Sequence, residues 1–258
     1  MTSLREIVDG ISVGDGELAV EAPLDWSQGR TLYGGMTAAL CLEAAKRVAP
    51  AIPLRSAHLL FAGPASGRLR LRPTLLRAGR STAAVSVGCS AEAGEAAVAT
   101  FAFGSDRESA IALPASRRSV PARRPEDCPV FVDRMGGFHD RFERRLADGS
   151  PLLSGGAPEF TVWARFRERQ DVDPVTALLA LADALPPAAM ACFPDSAPIS
   201  TITWSIDLLD KIDAVDGWCL LRSASEQTRD GYSTQAMDLW DAPGRHLATG
   251  RQLVAIFI

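Results

Sequence analysis

The segment Arg77-Ala78-Gly79-Arg80-Ser81-Thr82-Ala83-Ala84-Val85-Ser86-Val87 returns 152 residues later as Arg229-Asp230-Gly231-Tyr232-Ser233-Thr234-Gln235-Ala236-Met237-Asp238-Leu239. Arg, Gly, Ser, Thr and one Ala coincide, and each copy reads as a glycine turn entering a strand. Working outward, Leu71-Arg72 recurs as Leu221-Arg222 and Met36-Thr37-Ala38 as Val175-Thr176-Ala177, at offsets of 150 and 139. The order is kept and only loop lengths differ, so the chain is two copies of one unit. Each unit reads as a strand or two, one long buried helix and an antiparallel sheet, the pattern of a sheet wrapped around a helix in an α+β domain.

The helices carry the pattern furthest. Asp173-Pro174 reads as an N-cap and first helical position, because Asp satisfies an orphan N–H and proline has none to satisfy. From there to Leu185 the apolar residues cover every side, the mark of a helix enclosed by other structure. Asp183 breaks this run, and a carboxylate is costly to desolvate without a partner. The first-half helix, Met36 to Val48, has Ala44 at the matching point, so packing alone does not call for an acid there. Gln252 in the last strand likewise falls near Phe103 of the first half. Such differences point to a site in the second half. Around it, Ser200–Leu208 alternates, with Ile202, Trp204, Ile206 and Leu208 on one face and Thr201, Thr203, Ser205 and Asp207 on the other.

Units are expected at residues 1–104 and 130–258, joined by a linker at 105–129 rich in Ser, Pro and the basic residues Arg117, Arg118, Arg123 and Arg124. Composition excludes several classes. With 258 residues, 47% hydrophobic and 22% charged, the chain has the make-up of a globular protein. A net charge of −4 gives no general attraction to nucleic acid. No apolar run approaches a membrane span, and no signal-peptide pattern opens the chain. The five cysteines, Cys41, Cys89, Cys128, Cys192 and Cys219, form no CxxC pair and read as reduced thiols, which suggests the cytoplasm. No phosphate-binding loop, nucleophile elbow or zinc motif occurs, and the three histidines are scattered, so neither a metal nor a cofactor is expected.

The residues then suggest a family. Tyr33-Gly34-Gly35-Met36, Ser56-Ala57-His58-Leu59-Leu60-Phe61-Ala62-Gly63-Pro64, the Arg-x-Gly-x-Ser-Thr turn, the helix bearing Asp183, Ser200–Ser205 and Ala248-Thr249-Gly250-Arg251-Gln252, in that order, resemble the type II acyl-CoA thioesterases. The resemblance spans nearly the whole chain outside 105–129 and implies a double hotdog fold, an acyl-CoA substrate and a homo-oligomer. It implies that Asp183, Thr201 and Gln252 bind and activate the hydrolytic water. Thioester hydrolysis needs a positioned water, a base and a donor for the developing oxyanion. Backbone N–H groups at Gly34 and Gly35 are the candidate donors, since missing side chains allow close approach; tight helix–sheet contact is the competing reading of those glycines. His58 matches a family position and is a candidate substrate-binding residue, although a lone strand histidine is more often structural. The strand Trp204-Ser205-Ile206-Asp207 departs from a His-x-x-Trp-Phe-His run often found in relatives, so substrate preference does not transfer. Two rivals stand beside the hydrolase: a non-catalytic acyl-group binder, and a hotdog hydratase or dehydratase, which would need a histidine paired with the acid.

Overall fold

The computed structural model describes residues 2–14, 17–113, 123–132 and 136–258. Among these residues there are three α-helices, α1 (Leu4–Asp9), α2 (Gly34–Lys46) and α3 (Pro174–Ala182). The first-half strands are β1 (Ser12–Gly14), β2 (Glu17–Glu21), the small pair β3 (Ser27–Gln28) and β4 (Thr31–Leu32), β5 (Leu54–Phe61), β6 (Arg68–Ala78), β7 (Thr82–Ala91) and β8 (Gly94–Gly104). The second-half strands are β9 (Phe142–Gly149), β10 (Glu159–Phe166), β11 (Ile199–Leu208), β12 (Cys219–Arg229), β13 (Tyr232–Asp241) and β14 (His246–Ile256).

Twelve strands make one sheet in the order β1-β2-β6-β7-β8-β5-β11-β14-β13-β12-β10-β9. Read from its two ends the order is the same, because β6-β7-β8-β5 answers β12-β13-β14-β11. The halves meet where β5 lies antiparallel to β11, with Ala57 opposite Ile206 and Leu59 opposite Trp204. The sequence repeat is therefore a structural one, and the fold is a double hotdog.

Helices α2 and α3 pack on each other and on this sheet, α2 against β6, β7 and β8 and α3 against β10. From Gly35 to Ala45 every α2 residue except Glu43 is buried, and so is every α3 residue from Thr176 on. The helices run antiparallel, since the start of α2 meets the end of α3 through the Tyr33 hydroxyl donating to the Ala180 carbonyl at 3.0 Å. At the other end Lys46 reaches Asp173 at 2.8 Å. Small residues allow this approach: a Cβ on Gly35 would lie 2.7 Å from a Tyr33 ring carbon and 2.8 Å from the Ala180 oxygen.

Several details differ from the sequence reading. α3 stops at Ala182 rather than Leu185, and Asp183 is its C-cap, with φ −92° and ψ 10°. The cause lies downstream: Pro186 disfavours helical geometry at Leu185, and neither Pro186 nor Pro187 can donate to the helix. Phe138–Leu146 reads from sequence as one strand, but β9 begins only at Phe142, because Gly137–Arg141 forms a 3-10 turn. The end of the 105–129 linker packs against the second unit. Trp163 donates its indole N–H to the Arg123 carbonyl at 3.2 Å, and Cys128 packs with Trp163, Leu220 and Trp240. Arg117 and Arg118 lie outside the described residues.

Candidate active site

Two helix ends and one strand converge on Asp183. The Gln252 side-chain amide, on β14, donates to Asp183 Oδ1 at 2.6 Å. The Gly35 backbone N–H, in the first turn of α2, also acts on this carboxylate, favouring its charged form. Gly34 is close enough that a Cβ there would sit 2.7 Å from Asp183 Oδ2. The N-cap of α2, Tyr33, makes no side-chain capping bond, so the positive end of the helix faces a carboxylate from the other half of the chain.

Burial dominates the electrostatics. Desolvation pushes the Asp183 carboxyl up to about 7, while the Gln252 amide and the Gly35 N–H pull the other way. The group therefore exchanges its proton near neutrality, the range in which a general base works best. Tyr33 is fully buried beside it. Its hydroxyl is held well above the usual range, by burial first and then by the Asp183 charge, so it remains a neutral donor to Ala180.

Thr201 required a correction. Strict alternation along β11 set it on the face opposite Trp204, but the register shifts between Thr201 and Thr203, leaving Ile202 as the extra residue of a β-bulge. Thr201 thereby lies opposite the fully buried Val254, while Trp204 lies opposite Gln252. Directly opposed residues share a face, so the bulge returns Thr201 to the face of Gln252, one cross-strand row away. Thr201 makes no side-chain hydrogen bond among the described residues.

His58 is not brought to this site. On β5 the residues Ala57 and Leu59 point into the core, and His58 between them is exposed on the opposite face, 3.2 Å from the Ser56 hydroxyl. The other two histidines are also engaged elsewhere, His139 with Arg144 at 3.0 Å and His246 with Asp238 at 3.2 Å.

Two buried polar residues near the site were not singled out from sequence. Gln235, fully buried on β13, lies opposite Gln252, and its Oε1 accepts the Ala188 N–H at 2.9 Å. Its repeat partner is Ala83, the same polar-for-apolar exchange that marked Gln252, so the signal was present. Arg144 is 1% exposed and donates to the Ala184 carbonyl at 3.2 Å. Nothing in the pattern of a strand read from 138 to 146 separates this arginine from a surface one.

Among the described residues no group of acidic, histidine and cysteine side chains is arranged to hold a metal, and no helix is long and apolar enough to cross a membrane.

Comparison with known proteins bears on the whole chain. Residues 22–104 match the family model described as the acyl-CoA thioesterase N-terminal domain, and residues 117–256 the acyl-CoA thioesterase C-terminal domain. None of the curated proteins compared matches. Among solved structures, a conserved protein of unknown function with a hot dog fold from Alicyclobacillus acidocaldarius superposes with a TM-score of 0.87 at 24% identity, covering 100% of this chain and 99% of that one. The tesB protein of Mycobacterium avium subspecies paratuberculosis gives 0.79 at 17% identity over 99% and 98% of the two chains. An acyl-CoA thioesterase II, TesB2, from Mycobacterium marinum gives 0.78 at 18% identity, again over 99% and 98%. At these identities the likeness is one of fold.

Proposed function

Because the chain belongs to the acyl-CoA thioesterase family, we propose that it hydrolyses an acyl-CoA thioester to a free acid and CoA at Asp183, with Thr201 and Gln252 orienting the water. The observation that carries this reading is a carboxylate held by a glutamine amide at 2.6 Å against the start of a helix from the other half of the chain, where burial pushes it up to about 7.

The chemistry follows from these groups. Water, held by the Asp183 carboxylate and the Thr201 and Gln252 side chains, attacks the thioester carbonyl carbon and gives its proton to Asp183. The carbonyl oxygen gathers negative charge and is met by backbone N–H groups at the uncapped start of α2. Gly34 and Gly35 leave that approach open beside the Asp183 carboxylate. The tetrahedral intermediate then collapses, the C–S bond breaks, and the departing sulfur takes the proton back from Asp183. The acid and the CoA thiol leave with all atoms and protons accounted for. A hydratase would pair the acid with a histidine, and none of the three histidines bonds Asp183 among the described residues. Assembly into a homo-oligomer belongs to the same proposal and is read by light scattering.

The test is release of free thiol from a chain-length series of acyl-CoAs by wild type, Asp183→Ala and Gln252→Ala. Hydrolysis that is lost in Asp183→Ala and weakened in Gln252→Ala is expected. No turnover by wild type, with acyl-CoA binding retained, would leave an acyl-group binder, and unchanged rates in both variants would remove these residues from the mechanism.

A further inference from the structure

Arg144 is the most thoroughly buried charged side chain of the described residues, and no carboxylate bonds it. Its guanidinium donates to the Ala184 carbonyl at 3.2 Å, to the His139 carbonyl at 3.3 Å and to His139 Nδ1 at 3.0 Å, and its Nε–H has no partner. Burial, with the Arg144 charge, pushes His139 down to about 4, so the ring is neutral and its Nδ1 is free to accept. A buried guanidinium without a counter-ion is expensive, and stability alone is better served by an apolar side chain of similar size. A different reason is needed for keeping it.

That reason is its position. Ala184 follows Asp183, so the guanidinium grips the carbonyl of the residue next to the carboxylate, just past the end of α3 where the last carbonyls carry partial negative charge. Farther along the same segment Gln235 holds the Ala188 N–H, and its own amide donates to Ser233. Between these two anchors Pro186 and Pro187 restrict the backbone. A second line of contact runs from Arg144 over the Phe138 ring, 5.9 Å away, and from Phe138 to Tyr33, stacked at 4.4 Å. Tyr33 in turn abuts Gly35 and bonds Ala180 on α3. Both lines end at the groups that frame Asp183.

We infer that Arg144 is a positioning residue: through the Ala184 carbonyl it fixes the turn that presents the Asp183 carboxylate to Gln252 and the start of α2. The inference rests on the proposed hydrolytic role only for its kinetic consequence. Arg144 touches neither the carboxylate nor, in this reading, the substrate. The titratable and charged groups around Asp183 are Tyr33 from the start of α2 and, beyond it, Arg144 from β9 with its neighbours His139, Asp140 and Arg167. From β14 comes only the neutral Gln252.

The experiment follows the Asp183 carboxyl by carbon-13 NMR over pH in protein labelled at aspartate, with Asp183→Asn assigning the signal, in wild type, Arg144→Met and Arg144→Lys. The Gln252 bond and the start of α2 both favour the charged form, and a loosened turn weakens the first and draws the carboxylate from the second. Arg144→Met is therefore expected to move the titration upward by ~0.5 unit or more, and to lower kcat about tenfold with KM little changed. Arg144→Lys keeps the charge but lacks the planar fork, and falls between. An unmoved titration and unmoved kcat in Arg144→Met, alongside a lowered melting temperature, would make the arginine merely structural and overturn the inference. Should Arg144→Met not fold, Arg144→Lys decides: an upward shift supports the inference and a wild-type titration overturns it. Should wild type hydrolyse no acyl-CoA, the hydrolytic reading falls by itself, and the titration alone judges Arg144.

Discussion

The paired helices have two ends built from matching positions of the repeat, and the ends are finished in opposite ways. Where α3 starts, Asp173 caps its own helix, accepting the N–H groups of Val175 and Thr176, both at 3.1 Å. Pro174 follows and offers no N–H, and Lys46 at the end of α2 binds Asp173, Glu43 and Thr176 at 2.7 to 2.8 Å. Every group there is answered from within. Where α2 starts, the cap is Tyr33, without a capping bond; Gly34 and Gly35 replace Asp173 and Pro174, and the acid comes from the far helix. One end of a duplicated scaffold is closed by its own side chains, while the other sets an uncapped helix start against a carboxylate from the other half.

The two carboxylates show the same contrast in their titration. Asp183 is pushed up by burial, to about 7. Burial also acts upward on Asp173, but the Lys46 ammonium and the Thr176 donors outweigh it and hold that carboxyl below its usual value. Their linkage to stability has opposite sign. Between about 4 and 7 the native state holds a proton at Asp183 that the unfolded chain has lost, so this contribution falls as pH rises through that window. The Asp173 contribution is complete above the unfolded carboxylate value and is lost as pH falls below it.

If the contrast is one of function, the largest effect belongs to the open end. Asp183→Asn should lower kcat by roughly 10²- to 10⁴-fold, the usual share of a general base, measured by thiol release at saturating acyl-CoA; a loss under tenfold would break the contrast. The same variant should be the more stable protein above pH 7, by about 2–4 kcal/mol, because it removes the cost of ionising a desolvated acid. Denaturant melts at pH 5 and pH 8 measure this, and a gain larger at pH 5 would contradict the sign. Gly34→Ala comes next. Its methyl would stand 2.7 Å from Asp183 Oδ2, so a kcat loss of about tenfold or more is expected with stability down by about 1–3 kcal/mol. The smallest change belongs to the closed end. Asp173→Ala should cost about 1 kcal/mol through the lost cap, with the Lys46 pair adding little because it is partly exposed. Turnover should stay at the wild-type level, and a large loss of turnover would show that the two ends are not separate.

What could be read from the sequence follows from what repeats and what fails to repeat. The Arg-x-Gly-x-Ser-Thr turn at 77 and again at 229 marks the start of β7 and β13, and its order with the two helices announces a duplicated sheet-and-helix unit. Asp183 against Ala44, and Gln252 against Phe103, set polar beside apolar at matching places, and the fold brings that Asp and that Gln to 2.6 Å. Thr201 was harder, because a bulge adds a residue without any local signature and alternation then assigns the wrong face. The end of α3 was missed by three residues because the apolar run continues past Asp183, while the break is imposed by prolines downstream.

The sequence by itself determined the fold class and the half of the chain that holds the unusual polar residues, since periodicity, capping and duplication are local properties that survive without the rest of the molecule. Only the tertiary structure decided which groups meet. The Asp183 carboxylate comes from the second half and the helix start that faces it from the first. The near-neutral titration of Asp183 comes from burial between the two halves, and Arg144 reaches the site through a carbonyl forty residues away. Distance along the chain says nothing about these contacts, and desolvation exists only once both halves have closed around the carboxylate.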